Sequence, residues 1–251
     1  MPVYPCICGT RLEAADEAGL RAAIDSHLAQ QHPGFSVTPQ QYEDALAYAL
    51  GAVMPERPAT QPQTVIRRLE PALLDDFLHF FDRVAFADNP SWSNCYCNCY
   101  QFTGSGPEWN TSTARGNREA QIARIQAGAS PGYLAYVDGA VGGWCRAGAR
   151  SLLPNFDRGG VFPVDDPATA AAVVCFTIAA PYRRFGLARQ LLEYACVDLA
   201  SQGLQFIEAF PLNKAQTSDP AAYHGPRALF EAAGFQQVGE TKDFLRMRKR
   251  F

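Results

Sequence analysis

The chain has 251 residues, of which 47% are hydrophobic and 19% charged, and its formal net charge is −3. This composition supports a sizeable buried core, whereas a general nucleic-acid-binding protein would show a basic surplus. The sequence has no apolar run of the roughly 18 residues that span a bilayer, and it starts without a signal-peptide pattern. We therefore predict a soluble, cytoplasmic protein with no nucleic-acid or membrane partner, whose eight cysteines are mostly thiols or metal ligands.

The N-terminal segment 1–54 is predicted to be a small, helical module. Apolar periodicity indicates two helices, roughly 16–31 and 39–52. The following segment 55–63 contains three prolines and no large apolar residue, which is typical of a linker.

Two cysteines and two histidines in this module have the composition of a metal site. Cys6 and Cys8 lie close to the N-terminus, and His27 and His32 lie five residues apart at the end of the first predicted helix. Two sulfurs and two imidazoles are a tetrahedral zinc set, and a small module gains stability from a structural metal. In the alternative, the cysteines are small buried residues and the histidines suit the helix C-terminus through the helix dipole.

The remaining segment 64–251 alternates strands and helices. The predicted elements are a strand at 64–71, helices at 72–86 and 113–126, a hairpin about Asp138-Gly139, a strand at 171–179, a helix from about 186 to 202, a strand at 204–212, a short helix ending at Gly234 and two closing strands. This order predicts an α/β (α+β) fold with a mixed central sheet of about six to seven strands flanked by helices.

The stretch Arg183-Arg184-Phe185-Gly186-Leu187-Ala188 opens the helix that follows the most apolar strand. A helix N-terminus exposes unpaired N–H groups with positive partial charge, and glycine lets a bulky anion approach the backbone. Arginine adds charge-assisted hydrogen bonds. The stretch therefore predicts a site for a phosphate-bearing molecule.

This stretch resembles the Gln/Arg-x-x-Gly-x-Gly/Ala motif of the GNAT family of acyl-coenzyme A-dependent N-acyltransferases. Leu229–Phe235 is similar to the family's Leu-Tyr-Glu-x-x-Gly-Phe region. The resemblance implies the GNAT fold and direct transfer of an acyl group, most simply acetyl, from acetyl-CoA to an amine of a small molecule within a ternary complex. It also implies that the pyrophosphate binds at 183–188 and that the pantetheine arm pairs with Phe176, Thr177 and Ile178.

The resemblance leaves the acid and the base open. Phe230 stands where the family often has a proton-donating tyrosine, so Tyr223 is predicted as the acid that protonates the leaving thiolate, the alternative being a packing role. Glu208 and His224 are candidate bases. Both also have ordinary explanations, as a paired or solvent-facing carboxylate and as an exposed loop residue.

Cys95, Cys97 and Cys99 alternate with other residues and would share one face of a strand. A GNAT subgroup has a similar Trp-x-x-Cys-Tyr-Cys segment, and in this fold the region borders the acceptor site. The resemblance implies that the wall of the acceptor pocket is formed by Trp92, Tyr96, Cys97, Tyr100 and Trp144. Buried packing thiols, or a soft-metal or redox site, are the alternatives.

Two other functions remain open from the sequence. The first is a catalytically degenerate sensor that binds acyl-CoA and uses the N-terminal module as its output. The second is a metal- or thiol-responsive protein that uses the Cys/His clusters. The sequence leaves the oligomeric state open, with a homodimer as one of the options.

Overall fold

The computed structural model describes residues 1–155, 167–214 and 222–251. Its main feature is a mixed seven-stranded sheet, which confirms the predicted α/β architecture. In their order across the sheet, the strands are β3 Thr64–Arg68, β4 Tyr133–Val137, β5 Ala140–Ala149, β6 Ala170–Ile178, β7 Phe206–Ala209, β9 Leu245–Arg250 and β8 Gln236–Glu240.

Helices flank this sheet at most of the predicted positions. They are α3 Leu74–His79, α4 Gly106–Asn110, α5 Ala114–Gln126, α6 Leu187–Ser201 and α7 Arg227–Ala232. The predicted helix 72–86 is not a continuous α-helix, because α3 runs into a π-helical stretch, Phe80–Val84, in which Phe80, Phe81 and Val84 are all buried. Within the described ranges, no helix is long and apolar enough to cross a membrane.

The central strand β6 creates the gap in which the site lies. It pairs antiparallel with β5 along most of its length, with a bulge opposite Arg146 and Ala147. Its parallel pairing with β7 covers only Ala170–Val173. Because β7 pairs only with the start of β6, no described strand pairs with the second half of β6 on the β7 side, and we call this stretch the free edge of β6.

The N-terminal module is not purely helical. A hairpin of β1, Val3–Pro5, and β2, Arg11–Glu13, precedes α1, Glu17–Gln31, and α2, Pro39–Gly51. The two predicted helices are thus present, whereas the prediction missed the hairpin. Its own core is small, and the buried members are Tyr4, Leu20, Ile24, Ala45 and Leu46.

Helix α2 packs against the larger body. Tyr48 belongs to the main hydrophobic core, and its hydroxyl oxygen accepts a hydrogen bond of 2.9 Å from the Phe86 N–H. The carboxylate of Asp44 accepts a hydrogen bond of 2.9 Å from the Ala114 N–H at the start of α5. These contacts fix the module beside the segment between α3 and α5.

The predicted linker also contacts the body. The Arg57 guanidinium lies 4.8 Å from the centre of the Phe185 ring and donates to the Pro181 carbonyl at 3.1 Å. The Gln61 side chain donates to the Phe185 carbonyl at 3.1 Å. The linker therefore contacts the loop before α6.

Candidate active site

A cleft of about 530 Å³ opens beside the free edge of β6. Three parts of the chain line it: residues 85–92 after the π-helical stretch, the second half of β6 with the loop into α6, and the segment that leads into α7. The lining residues are Ala85, Phe86, Asp88, Asn89, Trp92, Phe176, Thr177, Ile178, Tyr182, Arg183, Arg184, Gly186, Leu187, Ala188, Arg189, Ala222, Tyr223, Gly225, Pro226 and Leu229.

The loop into α6 has the backbone that the sequence predicts for an anion site. Gly186 is the N-cap of α6 with φ +79°, and Arg184 before it has φ +71°. Left-handed residues at this point turn the chain so that the first turn of α6 faces the cleft, and glycine adopts this conformation without strain. Of the six predicted residues 183–188, only Phe185 does not line the cleft, because its ring packs under Arg57.

Arg183 is already engaged inside the protein. Its guanidinium pairs with the Asp88 carboxylate at 2.6 and 3.1 Å, and its Nε donates to the Ile178 carbonyl at 3.0 Å. The side chains are 20% and 24% exposed, so the pair is partly shielded from water. Arg183 therefore connects the loop to β6 and to the segment that follows the π-helical stretch.

The edge of β6 that was predicted to pair with the pantetheine arm is partly occupied. In an antiparallel ladder, alternate residues direct their backbone groups to opposite sides, and Phe176 and Ile178 direct theirs away from β5. The Phe176 N–H donates to the Tyr223 carbonyl at 2.6 Å. The backbone of Thr177 faces β5, and Thr177 lines the cleft together with its two neighbours.

Tyr223 lies in the cleft wall, as its predicted role requires. Its ring stands perpendicular to that of Trp92, with 5.4 Å between the ring centres. Burial, with smaller effects from Cys175, Cys99 and Cys95, raises the pKa of Tyr223 to about 12. The phenol therefore keeps its proton at neutral pH and is able to donate it.

The two candidate bases lie outside the cleft lining. The Glu208 carboxylate is fully buried and accepts hydrogen bonds from Arg150, Arg246 and Arg248. His224 is buried between Tyr100 and Phe244, and burial lowers its pKa to about 4. A carboxylate held by three guanidinium groups and a buried imidazole outside the cleft lining do not fit the predicted role, so the base remains unassigned.

The acceptor wall also differs from the prediction, since only Trp92 of its five residues lines the cleft. Trp144 is fully buried against Phe77 and Phe81, at ring-centre distances of 5.2 and 6.0 Å. Tyr96 is buried, and its hydroxyl donates to Asp82 at 2.7 Å. Cys97 is buried as well, and Tyr100 packs near His224 behind Tyr223.

The segment with the three alternating cysteines is not a strand. A 3₁₀-helix, Pro90–Cys95, is followed by two left-handed residues, Tyr96 with φ +44° and Cys97 with φ +49°. The three thiols therefore do not share a strand face. The metal-ligand group that the described part of the chain contains is elsewhere, in the N-terminal module.

Asn89 is a cleft residue that the sequence reasoning missed. It is 1% exposed, its Oδ1 accepts from the Ser91 hydroxyl at 2.8 Å, and its Nδ2 has no hydrogen-bond partner. A buried amide donor without a partner costs free energy unless a ligand satisfies it. In this cleft it is suited to donate to a carbonyl oxygen of a ligand.

The four predicted metal ligands come together in the N-terminal module. The donor atoms of Cys6, Cys8, His27 and His32 all lie within 4.8 Å of one another. The Cys6 sulfur is 3.3 Å from His32 Nε2, and the Cys8 sulfur is 3.3 Å from His27 Nε2. The β1–β2 turn, in which Gly9 has φ +93°, brings both sulfurs to the end of α1.

Comparison with known proteins finds similarity only among solved structures. No family model and no curated protein matches the chain. An N-acetyltransferase from Staphylococcus aureus is 15% identical, with a TM-score of 0.44, over 75% of this chain and 98% of that one. The values for PaiA N-acetyltransferase from Thermoplasma acidophilum, in complex with coenzyme A, are 14%, 0.45, 75% and 99%.

A third similar structure is a ribosomal-protein-alanine N-acetyltransferase from Brucella melitensis, with 18% identity and a TM-score of 0.43 over 74% of this chain and 99% of that one. These TM-scores lie below 0.5, so the likenesses are similarities in architecture and do not establish an activity. The chemistry of the cleft therefore rests on the cleft's own residues.

Proposed function

We propose that the protein is an acyl-CoA-dependent N-acyltransferase that transfers an acyl group, most simply acetyl, from acetyl-CoA to an amine of a small molecule. The observation that supports this is the cleft itself, which combines a helix N-terminus, a free strand edge and a protonated tyrosine. These three features match the three parts of an acyl-CoA: the pyrophosphate, the pantetheine arm and the thiolate that leaves.

Each part of the ligand has a physical counterpart. The N–H groups at the start of α6 and the positive end of its dipole favour the pyrophosphate. The free edge of β6 is suited to the amides of the pantetheine arm, with the Phe176 N–H already donating to the Tyr223 carbonyl. Tyr223 is available to protonate the leaving thiolate, and the unpartnered Nδ2 of Asn89 to bond a ligand carbonyl.

The binding step is tested by replacing Gly186. Calorimetry of wild type with acetyl-CoA is expected to show one site per chain, and Gly186→Glu to weaken binding by about thirtyfold or more, because it adds bulk and negative charge at the helix start. Gly203→Glu is the matched control, since Gly203 follows the other end of α6 with φ +83° and has open space around it.

The two variants share the cost of a left-handed glutamate, so a general loss of stability affects both. Loss of binding in Gly186→Glu alone would support the pyrophosphate at this loop. An equal effect in both variants, or no binding of acetyl-CoA by folded wild type, would contradict the proposal.

The proton donor is tested by Tyr223→Phe. Once an amine screen has found an acceptor, we expect this variant to lower kcat about 100-fold, because the thiolate would leave unprotonated. The dissociation constant of acetyl-CoA is expected to stay within about threefold, because the ring remains. Tyr182→Phe, which removes a hydroxyl from another cleft tyrosine, is the control, and unchanged turnover in Tyr223→Phe would refute the acid role.

One observation favours an acyl-CoA sensor as the second candidate. Asp88 is the carboxylate that lines the described part of the cleft, and it is paired with Arg183, so no evident base deprotonates an amine. A sensor binds acetyl-CoA with the same dependence on Gly186 and releases no coenzyme A with any amine of the screen. Coenzyme A release above the buffer rate would exclude it.

We also propose that the N-terminal module holds a structural zinc ion between Cys6, Cys8, His27 and His32. The two sulfur–nitrogen distances of 3.3 Å are close to the edges of a zinc tetrahedron, about 3.3–3.8 Å for ordinary Zn–S and Zn–N bond lengths. All four ligands come from the protein, which is the pattern of a structural rather than a catalytic site. Metal analysis is expected to find one zinc ion per chain in wild type and much less in Cys8→Ser.

A further inference from the structure

A buried guanidinium group lies next to the cysteine segment without a carboxylate to balance it. Arg146 of β5 is fully buried, and its two terminal nitrogens donate to Gln101, Ser130 and the carbonyls of Pro131 and Cys97. All these acceptors are neutral, and none of the described residues supplies Arg146 with a carboxylate. A buried cation normally has an anionic partner, because isolating its charge from water is energetically costly.

Two donors in the same place also lack partners. Nε of Arg146 and Nε1 of Trp144 are buried, and neither meets an acceptor at hydrogen-bond distance among the described residues. Both side chains are fully buried, and the Arg146 guanidinium lies 5.0 Å from the centre of the Trp144 ring. Arg146 also donates to the Cys97 carbonyl at 2.9 Å and lies opposite Cys175 of the neighbouring strand β6. Two donors without partners and one unbalanced positive charge therefore lie beside Cys97 and Cys175.

The backbone holds Cys97 in this position against its own preference. Cys97 has φ +49°, a left-handed conformation that is unfavourable for a non-glycine residue. The next residue, Asn98, is fixed by Asn117 at 2.7 Å, by Gln121 at 3.4 Å and by Arg124. A buried polar network thus maintains the strained residue whose carbonyl accepts from Arg146.

We propose that Cys97 is a resident thiolate, ion-paired with Arg146, and that it is a site of modification by a small two-electron oxidant such as hydrogen peroxide, with Cys175 as its resolving thiol. A thiolate supplies the missing anion and accepts from the donors that lack partners. This assignment does not depend on the acyltransferase proposal.

The surrounding groups favour the thiolate form of Cys97 and the thiol form of the neighbouring cysteines. Burial opposes the thiolate, but Cys175, Arg146 and Trp144 outweigh it and lower the pKa of Cys97 to about 6. The contact with Cys97 and burial raise the pKa of Cys175 well above its ordinary value. Burial raises the pKa of Cys95 to about 12 and that of Cys99 to about 11, so both stay thiols.

The modification has two steps. The Cys97 thiolate attacks one oxygen of hydrogen peroxide, the O–O bond breaks, hydroxide leaves, and the sulfur becomes a sulfenic acid. Cys175 gives its proton to the departing hydroxide, and its sulfur attacks that of Cys97. The S–O bond breaks and a second hydroxide leaves as the disulfide forms. The two sulfurs together lose two electrons, which reduce the peroxide to one water and one hydroxide.

The test reads each cysteine separately. Wild type treated with one equivalent of hydrogen peroxide, blocked with a maleimide and digested, is expected to yield a disulfide between the peptides of Cys97 and Cys175. Cys175→Ser is expected to accumulate a sulfenic acid at Cys97 that dimedone labels. We expect Cys97 to react about tenfold faster at pH 7 than Cys99, because it is mostly thiolate.

A direct measurement of the thiolate charge tests the ion pair independently of how fast Cys97 reacts. Ultraviolet thiolate absorbance during a pH titration is expected to lose one transition near pH 6 in Cys97→Ser, whereas the matched variant Cys99→Ser keeps it. An unchanged titration in Cys97→Ser would overturn the ion pair. Equal peroxide reactivity of Cys97 and Cys99 would overturn the modification site, and dimedone labelling of wild type without a disulfide would overturn the role of Cys175.

Discussion

Glu208→Gln is expected to lower the free energy of unfolding by about 3–5 kcal/mol, the usual cost of breaking a buried ion pair by removing one partner. The Glu208 carboxylate is fully buried on β7 and accepts from Arg150 at 2.9 Å, from Arg246 at 2.8 Å and from Arg248 at 2.6 and 2.9 Å. A glutamine fills the same space, but it removes the charge and turns an NH₂ group toward a guanidinium. Urea unfolding followed by fluorescence measures the loss as a shift in midpoint at constant slope.

The control is the same substitution at an exposed pair. Glu231 contacts Arg227 on α7 at 2.6 Å, with side chains 49% and 54% exposed, and Glu231→Gln is expected to cost less than about 1 kcal/mol. Arg248→Met, which removes the most exposed of the three cations, provides a milder variant in case Glu208→Gln does not fold. Similar losses for Glu208→Gln and Glu231→Gln would show that the buried cluster is not a stability element.

This result also separates the two roles considered for Glu208. A general base acts in the cleft, and its loss lowers turnover in a protein of normal stability. A buried anchor between β5, β7 and β9 instead lowers stability in the absence of any ligand. The position of Glu208 outside the cleft lining favours the second role.

The sequence predicted the elements whose signals are local. The apolar run at 171–179 became β6, Ala170–Ile178, and the Asp138-Gly139 pair became the hairpin turn with both residues at positive φ. Gly186 became the left-handed N-cap of α6. Each depends on a preference encoded within a few residues, namely apolar continuity, turn chemistry or a glycine conformation.

The predictions from sequence failed where contacts with residues distant in the chain determine the local structure. Alternation at Cys95, Cys97 and Cys99 is compatible with a strand, but contacts of Asn98 with α5 hold the segment in left-handed turns. The partners of Glu208 are between 38 and 58 residues away in the chain, so its alternation on β7 could not reveal an arginine cluster. No pairwise signal in a single sequence identifies such partners.

Asn89 illustrates a functional candidate that sequence reasoning could have found only in part. It lies in an Asp-Asn-Pro sequence after the predicted helix 72–86, and this sequence indicates a turn. The turn alone does not show that its Nδ2 is buried in a cleft without a partner. That feature depends on β6 and the segment at 222–229, which close the cleft from the other side.

The second large effect concerns the zinc site that we propose in the N-terminal module. Only five buried hydrophobic residues form the module's own core, so the metal is expected to supply much of its stability. Zinc binding contributes about 10–16 kcal/mol of apparent free energy in small zinc-dependent folds. Chelation is therefore expected to unfold β1, β2 and α1, whereas α2 stays attached through Tyr48 and Asp44.

Hydrogen exchange with and without a strong chelator measures this result region by region. Peptides within 3–31 are expected to lose protection, and peptides of the central sheet are expected to keep it, together with acetyl-CoA binding within about threefold of the zinc-loaded protein if the module only braces the body. Cys8→Ser and His27→Ala are expected to behave like chelated wild type and to show no further effect of chelator. His79→Ala, which removes an exposed histidine of α3, is the control. Unchanged protection of 3–31 on chelation, in protein that contains no zinc, would mean that the 3.3 Å sulfur–nitrogen contacts are hydrogen bonds between thiols and imidazoles.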